Sequence, residues 1–311
     1  MPVDPQVTPL LEAMAGMAQI DWWSMDPAVM RQGFGTVGPE PEKIEVAKVV
    51  DRTIPGPAGE IPVRIYTPEG TGPFPLVAFF HGGGFVLCGL DSHDTLARAL
   101  CRGAGAIVVS VDYRLAPESK FPAAADDCYA ATKWVADHAA ELGGDAERLA
   151  VAGDSAGGNL SAVTALLAKR KGGPRLVHQL LVYPVTSHEP DTDSYRENAE
   201  GFFLTADMMK WFTHHYLRDA KDAKDPLAAP IHATKADLAG LPPATVITAE
   251  YDPLRDEGEA YGRMLEDAGV GTLIVRYDGM IHGFVSMFGV LDKGRDAVEL
   301  CSKRLREAFG A

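Results

Sequence analysis

Leu149-Ala150-Val151-Ala152-Gly153-Asp154-Ser155-Ala156-Gly157-Gly158-Asn159 joins an apolar, β-favouring run to a small-residue, helix-compatible one through the pentapeptide Gly153-Asp154-Ser155-Ala156-Gly157. A serine on so sharp a strand-to-helix turn adopts a strained backbone conformation. Glycines two before and two after it remove the Cβ atoms that would otherwise collide there. The turn lifts the hydroxyl clear of the strand and sets it beside the first N–H groups of the helix, where developing negative charge can be stabilised. Ser155 is therefore a candidate nucleophile. The pentapeptide alone is only moderately specific; its position between a strand and a helix gives it weight.

Outward from this turn the chain alternates. Strands are predicted at Ile44–Ile54, Ile61–Thr67, Leu76–Phe80, Ala106–Val111, Leu149–Ala152, Leu180–Tyr183, Ala244–Thr248 and Leu273–Arg276. Helices are predicted at Thr95–Arg102, Ala123–Ala140, Ala156–Arg170, Asp256–Ala268 and Asp292–Phe309. Short runs such as Leu76-Val77-Ala78-Phe79-Phe80 are apolar throughout, as strands buried on both faces are. Strand–helix alternation predicts an α/β class fold: a mainly parallel sheet covered on both sides. Residues from about 185 to 238 break the rhythm, with polar Ser187–Asn198, then Gly201-Phe202-Phe203-Leu204, then a helix-like Thr205–Tyr216. That stretch is too long for an ordinary connection and reads as an inserted helical cap. Near the start, Thr8-Pro9 opens a helix with Leu10, Leu11, Met14, Met17 and Ala18 at helical spacing, followed by Trp22, Trp23, Met25 and Met30. This segment reads either as an amphipathic helix packed on the body or as a lid over an apolar pocket.

The 311 residues can bury a large core, and 46% hydrophobic with 23% charged residues is ordinary for a globular enzyme. A net charge of −14 argues against nucleic-acid or anionic-membrane binding, both of which need basic patches. Cys88, Cys101, Cys128 and Cys301 show no metal-binding spacing, and the first three lie among aliphatic residues as buried reduced thiols do. The amino terminus has no basic start and no long apolar run. No segment reaches about 18 apolar residues, so neither signal peptide nor membrane span is expected and a cytoplasmic location is.

A serine nucleophile needs a base, and the base needs an orienting acid. Among nine histidines, His282 stands apart in Asp278-Gly279-Met280-Ile281-His282-Gly283-Phe284. That is a glycine-flanked loop after a short strand, at the carboxyl end where open α/β sheets place their sites. Asp252, in Thr248-Ala249-Glu250-Tyr251-Asp252-Pro253-Leu254, ends a strand and precedes a helix. It reads as the acid or as a helix N-cap, with Asp256 a competing cap and Glu250 a rival acid closer to the strand. His81-Gly82-Gly83-Gly84-Phe85 follows the Leu76–Phe80 strand. Its glycines allow the N–H groups of Gly83 and Gly84 to point inward beside that of Ala156 as oxyanion donors. A phosphate loop is the rival reading, but no Gly-Lys-Ser/Thr follows and the GxGxxG spacing is absent. His81 reads as a brace for this loop.

Taken together, His81-Gly82-Gly83-Gly84, Asp112-Tyr113-Arg114-Leu115-Ala116-Pro117-Glu118, Gly153-Asp154-Ser155-Ala156-Gly157-Gly158-Asn159, Asp252-Pro253-Leu254-Arg255-Asp256 and His282-Gly283-Phe284 resemble the hormone-sensitive-lipase family of carboxylesterases, in its bacterial and archaeal branch. The resemblance spans about residues 40–311. It implies an α/β-hydrolase fold with a mostly parallel eight-stranded sheet, and a cap built from about residues 1–45 and 185–238. It also implies hydrolysis of soluble, short-to-medium acyl esters by Ser155, His282 and Asp252, without metal or organic cofactor. Asp154 and Asn159 are expected to tie the serine turn to the oxyanion loop, and Asp112 and Arg114 are candidates to pair. By the same analogy the chain is a monomer, or a homodimer through its last strand and helix.

Phe34, Phe85, Val86, Phe202, Phe203, Leu204, Met208, Phe212, Ile281 and Phe284 are candidate walls of the substrate pocket, each with a core reading of equal weight. The nearest enzymatic rival is an amidase or peptidase, which shares acyl-enzyme chemistry. Plant gibberellin receptors resemble the same family but replace the histidine that His282 keeps here. A dinucleotide-dependent dehydrogenase lacks its glycine fingerprint in this chain.

Overall fold

The structure is a computed structural model and describes residues 2–16, 20–33 and 43–310. Its strands are β1 Lys48–Gly56, β2 Gly59–Thr67, β3 Phe74–Phe80, β4 Ile107–Val111, β5 Gly144–Asp154, β6 His178–Val182, β7 Ala244–Tyr251 and β8 Thr272–Ile281. They form one eight-stranded sheet in the order β1-β2-β4-β3-β5-β6-β7-β8. β1 and β2 pair antiparallel, β2 runs antiparallel to β4, and every later pairing is parallel. The mostly parallel sheet expected from the alternation is present. Every predicted strand has a counterpart here, with ends shifted by a few residues; β5 alone begins five residues earlier than its apolar run.

The helices are α1 Thr8–Met14, α2 Pro27–Gly33, α3 Asp94–Ala104, α4 Ala123–Asp137, α5 Ala139–Leu142, α6 Ala156–Lys171, α7 Asp193–Glu197, α8 Ala206–Tyr216, α9 Lys235–Leu238, α10 Arg255–Asp267 and α11 Asp292–Phe309. The helix predicted over Ala123–Ala140 is broken at His138, whose backbone leaves the helical region at φ −110°, ψ 16°.

The period-two alternation of β3 shows how the sequence builds two cores. Leu76, Ala78 and Phe80 face one side, with Leu160, Val163 and Leu167 of α6 and Cys128, Ala131 and Val135 of α4. Val77 and Phe79 face the other, with Leu96 and Leu100 of α3 and Cys301, Leu305 and Phe309 of α11. Burying each such Leu, Val or Phe contributes roughly 1.5–3 kcal/mol. The central strands β3, β5 and β6 are thereby fixed, and their carboxyl ends become a rigid base for the loops that follow.

The amino-terminal segment lies on the body in two places. α1 buries no residue fully, yet Leu10 and Leu11 rest against the α3–α11 side, and Val7 before it is fully buried. Trp22 packs edge-on against Trp211 of α8, with ring centroids 5.5 Å apart. Met17, Ala18 and the pocket candidate Phe34 lie outside the described residues. α8 starts one residue later than predicted because Thr205 is its cap, its hydroxyl accepting the Met208 N–H at 3.1 Å.

Candidate active site

Ser155 joins β5 to α6 with φ 56° and ψ −116°, a conformation that a side-chain-bearing residue adopts only at a cost of about 1–3 kcal/mol. The surrounding structure holds it there. The Ser155 N–H donates to Val182 O at 2.8 Å, and the Val185 N–H donates to Ser155 O at 3.2 Å. The turn also presses against the end of β3: a Cβ on Gly157 would lie 1.9 Å from the Phe80 carbonyl oxygen. Glycine is obligatory at that position, and the contact brings the end of β3, and so the His81–Gly84 loop, against the serine turn.

Two side chains from two further loops, Asp252 and His282, line up on Ser155. The carboxylate of Asp252, fully buried after β7, accepts from His282 Nδ1 at 2.7 Å. That fixes the proton on Nδ1 and leaves Nε2 free to accept the Ser155 hydroxyl, 3.0 Å away. The other Asp252 oxygen accepts the Leu254 N–H at 2.9 Å, so the aspartate also holds the turn entering α10. The N-cap position of α10 is Leu254, which has no side-chain cap, so neither Asp252 nor Asp256 caps that helix; Asp252 instead braces the turn before it while facing His282. Glu250 points elsewhere, accepting the Gly279 N–H at 2.6 Å, and Asp256 accepts from the Ser194 N–H at 2.8 Å. The Tyr183 ring, with its centroid 4.6 Å from that of His282, packs beneath the imidazole.

Gly83 and Gly84 have φ of 112° and 62°. Among the described residues, their N–H groups and that of Ala156 have no hydrogen-bond partner. Gly83 O instead accepts from the Val86 and Leu87 N–H groups, which curls the loop back on itself, and Gly83 and Gly84 line the same cavity as Ser155. Asp154 ties this loop to the serine turn as expected, accepting the Gly82 N–H at 3.1 Å. Asn159 does not. Its side-chain amide donates to Val185 O at 2.9 Å and Ala228 O at 2.8 Å, anchoring the segment after β6 instead. His81 is fully buried, stacks on Tyr113 at 4.3 Å between ring centroids and donates from Nδ1 to Gly82 O at 2.7 Å. Burial, with help from neighbouring His93, pushes its pKa down to about 3, and a ring neutral near pH 7 suits a brace.

His93 was not visible as a site residue in the sequence. Its Nε2 lies 3.2 Å from Asp154 Oδ1 and 3.3 Å from Gly82 N, beneath the glycine loop. Burial pushes the Asp154 carboxyl up, but His93, and more weakly His81 and His282, outweigh it, and its pKa lies below the ordinary 3.8. Arg114 also departs from expectation: it forks onto Asp127 of α4, both contacts at 2.8 Å, rather than onto Asp112.

An apolar cavity of about 170 Å³ opens over Ser155 and His282. Of the proposed walls, Phe85, Phe203, Leu204, Met208 and Phe212 line it. Val86, Phe202, Ile281 and Phe284 do not. Val86, Ile281 and Phe284 are core residues, and Phe202 packs at a tilt against Tyr251, with ring centroids 4.7 Å apart. Unforeseen walls are Val185 and His188 after β6, Met209 and Thr213 of α8, Ser286 and Met287 after the histidine, and Cys88. Cys88 is half-buried rather than fully buried, and no cysteine is in a disulfide. A larger groove of about 390 Å³ between the β1–β2 turn and α4 is open to solvent and sets no nucleophile beside a base. Among the described residues no cluster of His, Cys, Asp or Glu is arranged to hold a metal ion, and no helix is long and apolar enough to cross a membrane.

This geometry can be set beside proteins of known identity. A family profile described as alpha/beta hydrolase fold matches residues 77–286. Carboxylesterase NlhH of Mycobacterium tuberculosis is 42% identical over 313 aligned positions, covering 99% of this chain and 98% of that one. The structure of a hyperthermophilic esterase from Pyrobaculum calidifontis superposes with a TM-score of 0.93 at 44% identity over the whole of both chains. A thermostable esterase from Pseudomonas putida gives 0.93 at 42% identity, covering 99% and 98%. The chain belongs to the hormone-sensitive-lipase-like family of α/β-hydrolase-fold proteins, whose serine turn, glycine loop and loop histidine it carries.

Proposed function

We propose that the protein is a serine carboxylesterase acting on short-to-medium acyl esters through an acyl-enzyme intermediate. The observation that carries this reading is the continuous relay from buried Asp252 through His282 to Ser155, at 2.7 and 3.0 Å, opening into an apolar cavity. The esterase names of relatives similar over nearly their full length support it.

In this account His282 Nε2 takes the Ser155 proton as Oγ attacks the ester carbonyl. Asp252 holds the ring by Nδ1 and stabilises the imidazolium that forms. The carbonyl oxygen, now negative, is received by the N–H groups of Gly83, Gly84 and Ala156, where one donor is worth about 10²–10³ in rate. His282 returns the proton to the departing alcohol, then activates water to release the acid. Asp154 and His81 keep the oxyanion loop in register, while Asn159 fixes a pocket wall. The amino-terminal segment and residues 185–238 act as a cap that closes the apolar cavity. Such a cavity suits a neutral ester, whose small acyl and alcohol groups leave water by hydrophobic transfer. The partner in solution is then a small-molecule ester, with the protein a monomer or homodimer working in the cytoplasm without a cofactor.

The test is hydrolysis of p-nitrophenyl esters from acetate to palmitate by the protein and its Ser155→Ala variant. The reading predicts a maximum at short or medium chains and a fall of about 10⁶ in kcat for the variant. A folded protein that turns over no ester, or a variant as active as its parent, overturns it.

A further inference from the structure

We infer that His188 closes the acyl end of the cavity and sets the longest acyl chain the protein accepts; the inference rests on the esterase reading. Stereochemistry divides the cavity. The leaving oxygen must lie within reach of His282 Nε2, so the alcohol occupies the side walled by Gly283, Met287 and Phe203, whose ring would lie 3.5 Å from a Cβ on Gly283. The carbonyl oxygen is claimed by the glycine loop. The acyl chain is left with the opposite side, over Gly84, where Phe212 packs so closely that a Cβ would lie 2.2 Å from its ring.

On that side His188 lines the cavity, beside Phe85 and Thr213. Its ring is buried, its centroid lying 6.1 Å from that of Phe85 and 5.6 Å from that of Tyr216, which stack on each other at 3.8 Å. Its Nε2 lies 3.2 Å from Ala228 O, which can only accept, so the proton is on Nε2 and the ring orientation is fixed. Nδ1 then faces the Thr213 hydroxyl at 3.4 Å. The wall does not yield, because its backbone is anchored on both flanks. Asn159 holds Val185 O and Ala228 O, and buried Glu257 Oε1 accepts the Thr186 and Ser187 N–H groups at 2.6 and 3.0 Å. A rigid stop converts each excess methylene into a steric clash rather than a movement of the loop.

The experiment measures kcat/KM for two ester series, one varying the acyl chain on a fixed p-nitrophenol and one varying the alcohol on a fixed acetyl group. It compares the parent protein with His188→Ala and with His188→Asn, whose shorter amide also shortens the wall but keeps a polar group where Nδ1 faces the Thr213 hydroxyl. We expect the acyl optimum to move to longer chains in both variants. The ratio of long to short acyl substrates should rise about tenfold or more in His188→Ala, the worth of a methylene in such a pocket. The alcohol series should keep its order. An unchanged acyl optimum in either folded variant, or a shift confined to the alcohol series, overturns the inference while the esterase reading stands. Absence of ester turnover by the parent overturns both.

Discussion

His93 Nε2 lies 3.2 Å from Asp154 Oδ1, and that same carboxylate oxygen accepts the N–H of Gly82 at 3.1 Å. The pair sits under the His81–Gly84 loop, so loop position depends on a charge-assisted contact between residues 61 apart in the chain. Both side chains are almost wholly buried, and removing one leaves the other without its partner. His93→Ala and Asp154→Asn are therefore expected to lower kcat by about 10–100-fold, the usual cost of losing a supporting contact, while KM changes little. Steady-state kinetics on one p-nitrophenyl ester checks this, and an effect on KM alone would contradict it.

Asp252 both orients His282 and holds the Leu254 N–H. An asparagine can still accept the Leu254 N–H through its amide oxygen, but its NH₂ facing His282 Nδ1 imposes the wrong tautomer. Asp252→Asn should keep a near-parental melting temperature and lose about 10⁴ in kcat. Thermal melting and kinetics on the same preparation separate the two roles.

Glu257 carries a stability prediction with a definite sign. Burial raises its pKa from 4.5 to about 8, against the lowering effect of the Thr186 and Ser187 N–H groups. A carboxyl that holds its proton more tightly when folded makes the folded state bind more protons than the unfolded state. Stability due to this group is then full below about pH 4.5 and is lost as pH rises toward about 8. Glu257→Gln, which mimics the protonated form, should flatten that decline and melt higher than the parent at pH 8. Glu257→Ala removes the acceptor of two buried N–H groups and should cost about 1–3 kcal/mol per group left unpaired. Melting curves from pH 5 to 8 distinguish these outcomes.

Gly157 couples folding to activity. A methyl group there would lie 1.9 Å from Phe80 O and 2.8 Å from His81 O, forcing β3 and the glycine loop away from the serine turn. Gly157→Ala is expected to destabilise by about 1–3 kcal/mol, as overpacking does, and to depress kcat in any folded fraction. Unchanged melting and kinetics would contradict the packing described.

The strand–helix order, the serine turn, the glycine loop and the loop histidine were legible in the sequence because each depends on local chemistry: apolar period, glycine spacing, loop position. The pocket walls were not, since apolar residues lining a cavity and filling a core look alike. Phe85 and Phe203 both have positive φ, at 65° and 73°, which turns each away from its neighbour. Phe85 faces the cavity while Val86 enters the core, and Phe203 faces it while Phe202 packs against Tyr251. No hydrophobic pattern encodes such a reversal. His93 and His188 were missed for another reason: their partners Asp154 and Ala228 come from distant segments and meet them only through the fold. Asn159 belongs to a recognisable motif, yet its amide reaches toward the segment after β6, a direction fixed by where α6 packs.

The central claim is that Ser155, activated by His282 and Asp252, is the group that attacks. Reaction with p-nitrophenyl diethyl phosphate followed by peptide mass mapping tests it most directly. The account predicts a single diethylphosphoryl adduct on Ser155, formed in step with loss of esterase activity and absent from Ser155→Ala. An adduct on another residue, or inactivation with Ser155 unmodified, would contradict it.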